Sequence, residues 1–237
     1  MAGEHKNKTL DYTLLDSPPQ LLEDALVHES KTVEVTVGDK TLKIYTEILA
    51  QKDCKPKLDV LFLHGMSFTS KNWLDIKSVY HVANWGYRAV AVDLPGFGKS
   101  LNLLPPENDG EFLKSFISEL GLKPPVIVSP SMSGSFSLPY LFDGDVSTGL
   151  ERATAYVPVA PVNTSKYVKH FRTSKIPTMI VVGSKDLSIG ARSTQDLKHI
   201  PDHWYAPIEG ASHACYMNNP DAFHKLLFFF LKNLEVL

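Results

Sequence analysis

A run of β-branched residues, Val126-Ile127-Val128, drives straight into Ser129-Pro130-Ser131-Met132-Ser133-Gly134, a cluster of small residues around a central serine. Few folds accommodate such a join. A buried strand must turn abruptly into a helix, and the residues two before and two after the apex must be small for strand and helix to approach each other. Glycines usually hold those flanks; here they are Ser129 and Ser133. Serine at alternate positions leaves a second frame open, with Ser133 at the apex between Ser131 and Ser135. Ending the buried strand just before the first small residue selects Ser131, with Met132-Ser133-Gly134 opening the helix.

A serine on such a corner is a nucleophile only with a base and an acid to activate it, and the chain supplies both downstream. Pro177-Thr178-Met179-Ile180-Val181-Val182-Gly183 reads as another buried strand, and Ser184-Lys185-Asp186 puts a carboxylate at its C-terminal end. Tyr205-Ala206-Pro207-Ile208 reads as a last strand, followed by a small-residue loop that ends in His213. The order Ser131, Asp186, His213 differs from the chymotrypsin and subtilisin orders. Taken singly, Asp186 is an ordinary turn or capping residue and His213 a solvated loop histidine; their joint placement after successive strands makes them a candidate triad.

Upstream, Asp59-Val60-Leu61-Phe62-Leu63-His64-Gly65-Met66 reads as a strand ending in a His-Gly turn. Acyl transfer places negative charge on the former carbonyl oxygen, so backbone N–H donors are needed beside the nucleophile. The candidates are the amides of Met132, directly after Ser131, and of Met66. His64 competes for the role of base, but a residue at the strand end is better placed to shape this loop.

The remaining pattern alternates strands and helices. Thr32 to Val37 and Leu42 to Leu49 flank Gly38-Asp39-Lys40 as an opening hairpin. Short apolar runs then recur at Val60 to Leu63, Tyr87 to Val92, Val126 to Val128, Ala153 to Val157, Thr178 to Val182 and Trp204 to Ile208, each suited to burial on both faces. Helical patterns lie at Trp73 to Ala83, Glu111 to Leu120, Ser133 to Leu141, Thr194 to His199 and Asp221 to Asn233. This predicts an α/β fold with a mostly parallel, eight-stranded sheet covered on both faces. Residues 31–237 form one domain on this reading, and residues 1–30 an N-terminal extension of unknown role in which Leu21 to Val27 has the pattern of an amphipathic turn or two.

Composition narrows the function classes. With 237 residues and 43% hydrophobic content the chain can bury a full core. A net charge of -2 and a pI near 6.5 provide no basic field for nucleic acid. The polar start Met1-Ala2-Gly3-Glu4-His5-Lys6 lacks the apolar region of a signal peptide or anchor, and Phe228-Phe229-Phe230-Leu231 is far too short to span a bilayer. Two cysteines, Cys54 and Cys215, suit a reducing compartment; Cys215, two residues past His213, reads as a small hydrophobe beside the site.

Two motifs imitate other chemistry. Gly96-Phe97-Gly98-Lys99-Ser100 looks like the end of a phosphate-binding loop, but the required first glycine falls on Asp93. His199 and His203 have the spacing of helical zinc ligands, but Pro201 between them breaks the helix, so no metal site is expected.

From about residue 30 to the end, the chain resembles the α/β-hydrolase superfamily, most closely the α/β-hydrolase-domain protein 14 subfamily. The likeness is carried by Leu63-His64-Gly65, by Gly86-Tyr87-Arg88-Ala89-Val90-Ala91-Val92-Asp93-Leu94-Pro95-Gly96, by Ser129-Pro130-Ser131-Met132-Ser133-Gly134 with Ser137-Leu138-Pro139, and by His213-Ala214-Cys215-Tyr216. The resemblance implies a Ser131, Asp186, His213 triad and activity on small acyl esters. In the subfamily's soluble branch it implies removal of acetyl from lysine with coenzyme A as acceptor and no required cofactor. The lack of an anchor points to that branch, hence to the cytoplasm and nucleus, and to a monomer that meets an acyl ester, an acetylated lysine or a protein partner but neither nucleic acid nor membrane. Only about fifteen residues separate Pro161 from Pro177, too few for a helical lid, so an open site and a short acyl group are expected. The rival class is a binding or receptor protein that keeps the fold with no turnover or only a slow one, its groove serving as a docking site.

Overall fold

The computed structural model describes residues 8–144 and 149–234. One sheet contains β1 (Lys8–Thr9), β2 (Leu26–Val37), β3 (Lys40–Gln51), β4 (Asp59–Phe62), β5 (Arg88–Val92), β6 (Val126–Pro130), β7 (Ala155–Val159), β8 (Thr178–Gly183) and β9 (His203–Ile208). Their order is β1-β9-β8-β7-β6-β4-β5-β3-β2. The β2/β3 and β3/β5 ladders are antiparallel and the other ladders parallel. Among the described residues the sheet therefore has nine strands where eight were expected. The addition is β1, whose Lys8 and Thr9 pair with Trp204 and Tyr205; a two-residue polar ladder has no periodicity to reveal it.

Continuous apolar runs make the central strands because each face of the sheet has its own core. Val60, Phe62, Val126 and Val128 point into one core, and Leu61, Leu63, Val90, Val92 and Ile127 into the other. The helices are α1 (Ser70–Asp75), α2 (Ser78–Asn84), α3 (Asp109–Glu119), α4 (Gly134–Phe142), α5 (Gly149–Arg152), α6 (Val168–Phe171), α7 (Ile189–Leu197), α8 (Cys215–Asn218) and α9 (Pro220–Leu234). Trp73, Val79 and the Phe223, Leu227, Phe230 stripe of α9 fill the first core; Phe112, Phe116, Leu138 and Leu197 fill the second. Among the described residues no helix is long and apolar enough to cross a membrane.

The helix expected over Trp73 to Ala83 is two helices. Asn72 caps the first by accepting from the Thr69 amide at 2.9 Å, and Lys77 then takes a left-handed conformation, φ 61°, that breaks the run before Ser78. The hairpin is longer than its pattern, because β2 and β3 pair from Leu26↔Gln51 to Val37↔Lys40 around Gly38 at φ 59°. Within the expected N-terminal extension, Leu10 is buried and Tyr12, Leu15 and Leu21 lie against the α9-side core. Glu23–Ala25 forms a single 3-10 turn where the amphipathic pattern occurs. Asn84 holds this strap at two points, accepting from the Leu22 amide at 3.1 Å and donating to the Gln20 carbonyl at 3.0 Å.

Between β7 and β8 the chain makes only a 3-10 turn at Thr164–Lys166 and the one-turn α6. Among the described residues no lid domain covers the C-terminal ends of the strands, where the candidate residues gather.

Candidate active site

β6 ends at Pro130, and the chain turns through a 3-10 segment, Ser131–Ser133, into α4. Ser131 sits at the apex with φ 48°, a left-handed conformation that costs a non-glycine residue about 1 to 2 kcal/mol. Gly134 makes the corner possible, since a Cβ there would lie 2.7 Å from the Val162 carbonyl oxygen. The competing frame is closed: Ser133 is fully buried, and its hydroxyl donates to the Pro130 carbonyl at 2.8 Å.

The serines in place of the usual glycines have partners of their own. Ser129 Oγ lies 3.0 Å from Ser133 Oγ and 2.7 Å from Ser137 Oγ, which in turn lies 3.0 Å from the Tyr156 hydroxyl. These four buried hydroxyls tie β6, the elbow, α4 and β7 together behind Ser131. Burial pushes Tyr156 up to about 12, so it stays neutral.

The three candidate residues form one hydrogen-bond chain. His213 Nδ1 lies 2.5 Å from Asp186 Oδ2, and its Nε2 lies 2.8 Å from Ser131 Oγ. A carboxylate accepts, so Nδ1–H donates to Asp186 and Nε2 is left to accept from the Ser131 hydroxyl. Burial raises the Asp186 pKa, but hydrogen bonds from His213, the Gly190 amide and Ser188, with the charge attraction of His213, outweigh it and leave the carboxyl below its usual value. Asp186 is thus an anion held at the start of α7, where the helix dipole also favours negative charge. Gly190 is required there, because a Cβ would lie 2.7 Å from the Asp186 carboxyl.

Gly65 brings the loop after β4 close to Ser131: a Cβ on it would lie 3.7 Å from Ser131 Cβ. His64 fixes that loop. It is fully buried, its Nε2 accepts from the Leu94 amide at 3.0 Å, and its Nδ1–H therefore donates to the Gly65 carbonyl at 2.9 Å. Burial depresses its pKa against the opposing pull of the Gly65 carbonyl and Asp93. Both nitrogens being occupied, His64 is not a base. Trp73 braces the same loop, donating from Nε1 to the Leu63 carbonyl at 2.7 Å and stacking on Tyr216 with centroids 4.6 Å apart.

Ser131 and His213 open into a cavity of about 100 Å³ walled by Gly65, Met66, Phe68, Val159, Ala214 and Tyr216. Larger hollows of about 250 and 350 Å³ lie over the β2 side of the sheet and hold neither Ser131 nor His213. Cys215 does not line the site; it is fully buried, and burial pushes its thiol up to about 12. The glycine-rich loop after β5 is filled by its own Asp93, whose oxygens accept from the Ser70 and Lys99 amides at 2.8 Å each. A Cβ on Gly98 would strike that carboxylate, which leaves no cradle for phosphate. The imidazoles of His199 and His203 each donate to a backbone carbonyl, of Asp196 and Ile200, and the described residues contain no cluster fit for a metal.

Ser188 and Gly190 around the acid and the Ser129, Ser137, Tyr156 network behind the elbow escape a reading of the sequence. The spacing of Ser129, Ser133 and Ser137 by four is the only signal that could have found any of them.

Residues 60–141 match the Alpha/beta hydrolase family. Protein ABHD14A of Danio rerio is 37% identical over 190 residues, covering 78% of this chain and 68% of that protein. The Homo sapiens protein named "Putative protein-lysine deacylase ABHD14B" is 36% identical over 206 residues, covering 82% and 95%. Among solved structures, a CIB-like hydrolase of Thermoplasma acidophilum superposes with a TM-score of 0.75 at 22% identity, covering 87% of this chain and 100% of that one. An esterase of Thermogutta terrifontis superposes with a TM-score of 0.66 at 15% identity, covering 86% and 99%.

Proposed function

Because this chain belongs to the ABHD14 family of α/β hydrolases, we propose that it is a serine acyl hydrolase and acyltransferase in which Ser131 is the nucleophile, His213 the general base and Asp186 the residue that orients it. The observation that carries this reading is the hydrogen-bond chain from Asp186 through His213 to a serine held at φ 48° at the mouth of a cavity. As Ser131 Oγ bonds to the acyl carbon, its proton passes to His213 Nε2, and Asp186 stabilises the imidazolium. The oxyanion rests on the amides of Met66 and Met132, each worth about 3 to 4 kcal/mol to the transition state. Collapse expels the leaving group with the proton from His213 and leaves an acyl-serine. Water or a thiol, deprotonated by His213, then takes the acyl group and restores the serine.

The cavity favours a short acyl group. Its volume of about 100 Å³ is well below the roughly 300 to 1,000 Å³ of sites for drug-sized ligands, enough for an acetyl-like group and too little for a lipid chain. The missing lid leaves room for a bulky carrier, and the name of the human relative suggests acylated lysine as one. Coenzyme A is the thiol acceptor on this reading, no cofactor is needed, and two unpaired cysteines suit the cytoplasm or nucleus. The decisive experiment is turnover of a small acetate ester by the wild type and by Ser131→Ala. Loss of about 10⁴ or more in kcat supports the proposal; no turnover by the wild type would make the protein a binding module instead.

A further inference from the structure

Two hollows flank the elbow, and they differ in chemistry. The one that holds Ser131 and His213 is small and walled mainly by Gly65, Met66, Phe68 and Tyr216. The other measures about 230 Å³ and is lined by Pro161, Val162, Asn163, Ser165, Ile189 and Arg192. This second groove is fastened to the nucleophile. The Val162 amide donates to the Ser131 carbonyl at 3.0 Å, and α4 approaches the same loop so closely at Gly134 that no Cβ fits. On its far side Ile189 follows Ser188, whose hydroxyl lies 3.2 Å from Asp186. The groove thus runs between the loop after β7 that is bonded to Ser131 and the loop that carries Asp186, and it shares no lining residue with the acyl cavity.

Arg192 gives the groove its charge. Among the described residues its guanidinium makes no ion pair and no hydrogen bond. Arg88, by contrast, is bidentate on Asp59 at 2.7 and 2.9 Å, and Arg152 donates to the Tyr140 and Asp143 carbonyls. Asp196, one turn along α7 and the natural helical partner of Arg192, instead accepts the Thr164 hydroxyl at 2.7 Å. The opposite wall holds Asn163 in a left-handed conformation, φ 66°, and Ala160, buried three residues before it, takes another, φ 47°. Such strain persists where surrounding structure fixes a loop, as at ligand clamps.

We infer that this groove receives the carrier side of the reaction, the molecule from which the acyl group departs or to which it is passed, and that Arg192 binds an anionic group on it, a carboxylate or a phosphate. The inference rests on the acyl-transfer reading above. A guanidinium matches either anion with two parallel N–H donors, and a separate, mainly apolar cavity of about 100 Å³ leaves the acyl group no reason to compete for it.

The test compares three aryl acetates that share the phenyl acetate core and differ in the para substituent, neutral in methyl 4-acetoxybenzoate and anionic in 4-acetoxybenzoate and 4-acetoxyphenyl phosphate. The readout is the ratio of kcat/KM for each anionic ester to that for the neutral one, in wild type, Arg192→Lys, Arg192→Ala and Arg192→Glu, so that intrinsic reactivity and any general loss cancel. The ratio should fall about fivefold in Arg192→Ala, consistent with a charged hydrogen bond at a solvated site, fall further in Arg192→Glu, and be partly kept in Arg192→Lys. A larger fall for the phosphate than for the carboxylate identifies phosphate as the preferred anion, and the reverse identifies carboxylate. Ratios that stay at the wild-type value in both Arg192→Ala and Arg192→Glu overturn the inference while leaving the acyl-transfer reading intact. If the wild type cleaves none of the esters, or cleavage survives Ser131→Ala, both fall together.

Discussion

A Cβ on Gly183 would strike the carbonyl oxygen of Ser212, so the strand that leads to Asp186 and the loop that carries His213 touch through bare backbone. The Lys185 amide, which donates to the Ala211 carbonyl at 2.9 Å, fastens the two together. Gly183→Ala has no flexible side chain to displace and must push the His213 loop away from Asp186. A loss of about 1 to 3 kcal/mol in denaturant stability is expected, together with a slower reaction of Ser131 with a fluorophosphonate. Wild-type labelling by a folded variant would show that the loop can shift without disturbing the base.

The register of the elbow makes a separate prediction. Ser133→Ala removes a buried hydroxyl that bonds Pro130 and Ser129, which should cost about 1 to 2 kcal/mol and leave covalent labelling at Ser131. Peptide mapping of the labelled wild type at Ser133 would reverse the assignment.

Asp186→Asn should fold, because the turn around the carboxyl is held by backbone as well as side chain, yet lose about 10⁴ in kcat. The amide would offer a donor where His213 needs an acceptor and so select the wrong tautomer. Activity within tenfold of wild type would move the acid's role to another carboxylate.

If resolution of the acyl-serine limits turnover, coenzyme A should raise the steady-state rate on an acetyl ester and give acetyl-coenzyme A in step with product, while the pre-steady-state burst keeps its rate. Measuring burst and steady state with and without the thiol separates transfer from hydrolysis. Free acetate as sole product, at a rate indifferent to the thiol, reduces the activity to that of a plain esterase.

Far from the site, His224 is buried with its Nε2 2.9 Å from Ser78 Oγ and its ring 4.6 Å from that of His81. Burial, with the neighbouring His81, lowers its pKa from 6.5 to about 3. The native protein keeps it neutral while the unfolded chain protonates it. Its contribution is therefore complete above pH 6.5 and is lost progressively as pH falls toward 3. At pH 4.5 the loss amounts to about 2 to 3 kcal/mol relative to pH 7. His224→Phe combined with Ser78→Ala removes the titration without orphaning the hydroxyl. Urea melts at the two pH values should show the wild type losing stability against the double variant on acidification; parallel losses would assign the acid sensitivity elsewhere.

The parts of this protein that could be read from its sequence are those whose signal is local. Val126-Ile127-Val128 ending at small residues, Asp186 after Val181-Val182 and His213 after Ile208 each announce a strand end, and strand ends on a parallel sheet meet at one edge. What could not be read depends on partners distant in the chain. Lys77 breaks a helix whose pattern continues through it, and β1 exists only because β9 lies beside it. The pairing of Ser129 with Ser137 and Tyr156, and the isolation of Arg192 from Asp196, are decided by which side chains the fold brings together, and no periodicity encodes that.

The strap from Leu10 to Ala25 joins β1 to β2, and these are the two outermost strands of the sheet. Both borders of the sheet are therefore drawn by the chain's opening segment, one at each flank, with every later strand enclosed between them. β1 has nothing to align with until Trp204 and Tyr205 are in place, and Tyr12, Leu15 and Leu21 settle on a core that includes α9. This segment, which precedes the rest of the domain in the chain, can thus be secured only after that domain is assembled, which sets a late, long-range closing event in folding. Until then the border at β9 stands unpaired, with its backbone N–H and C=O groups available to another chain.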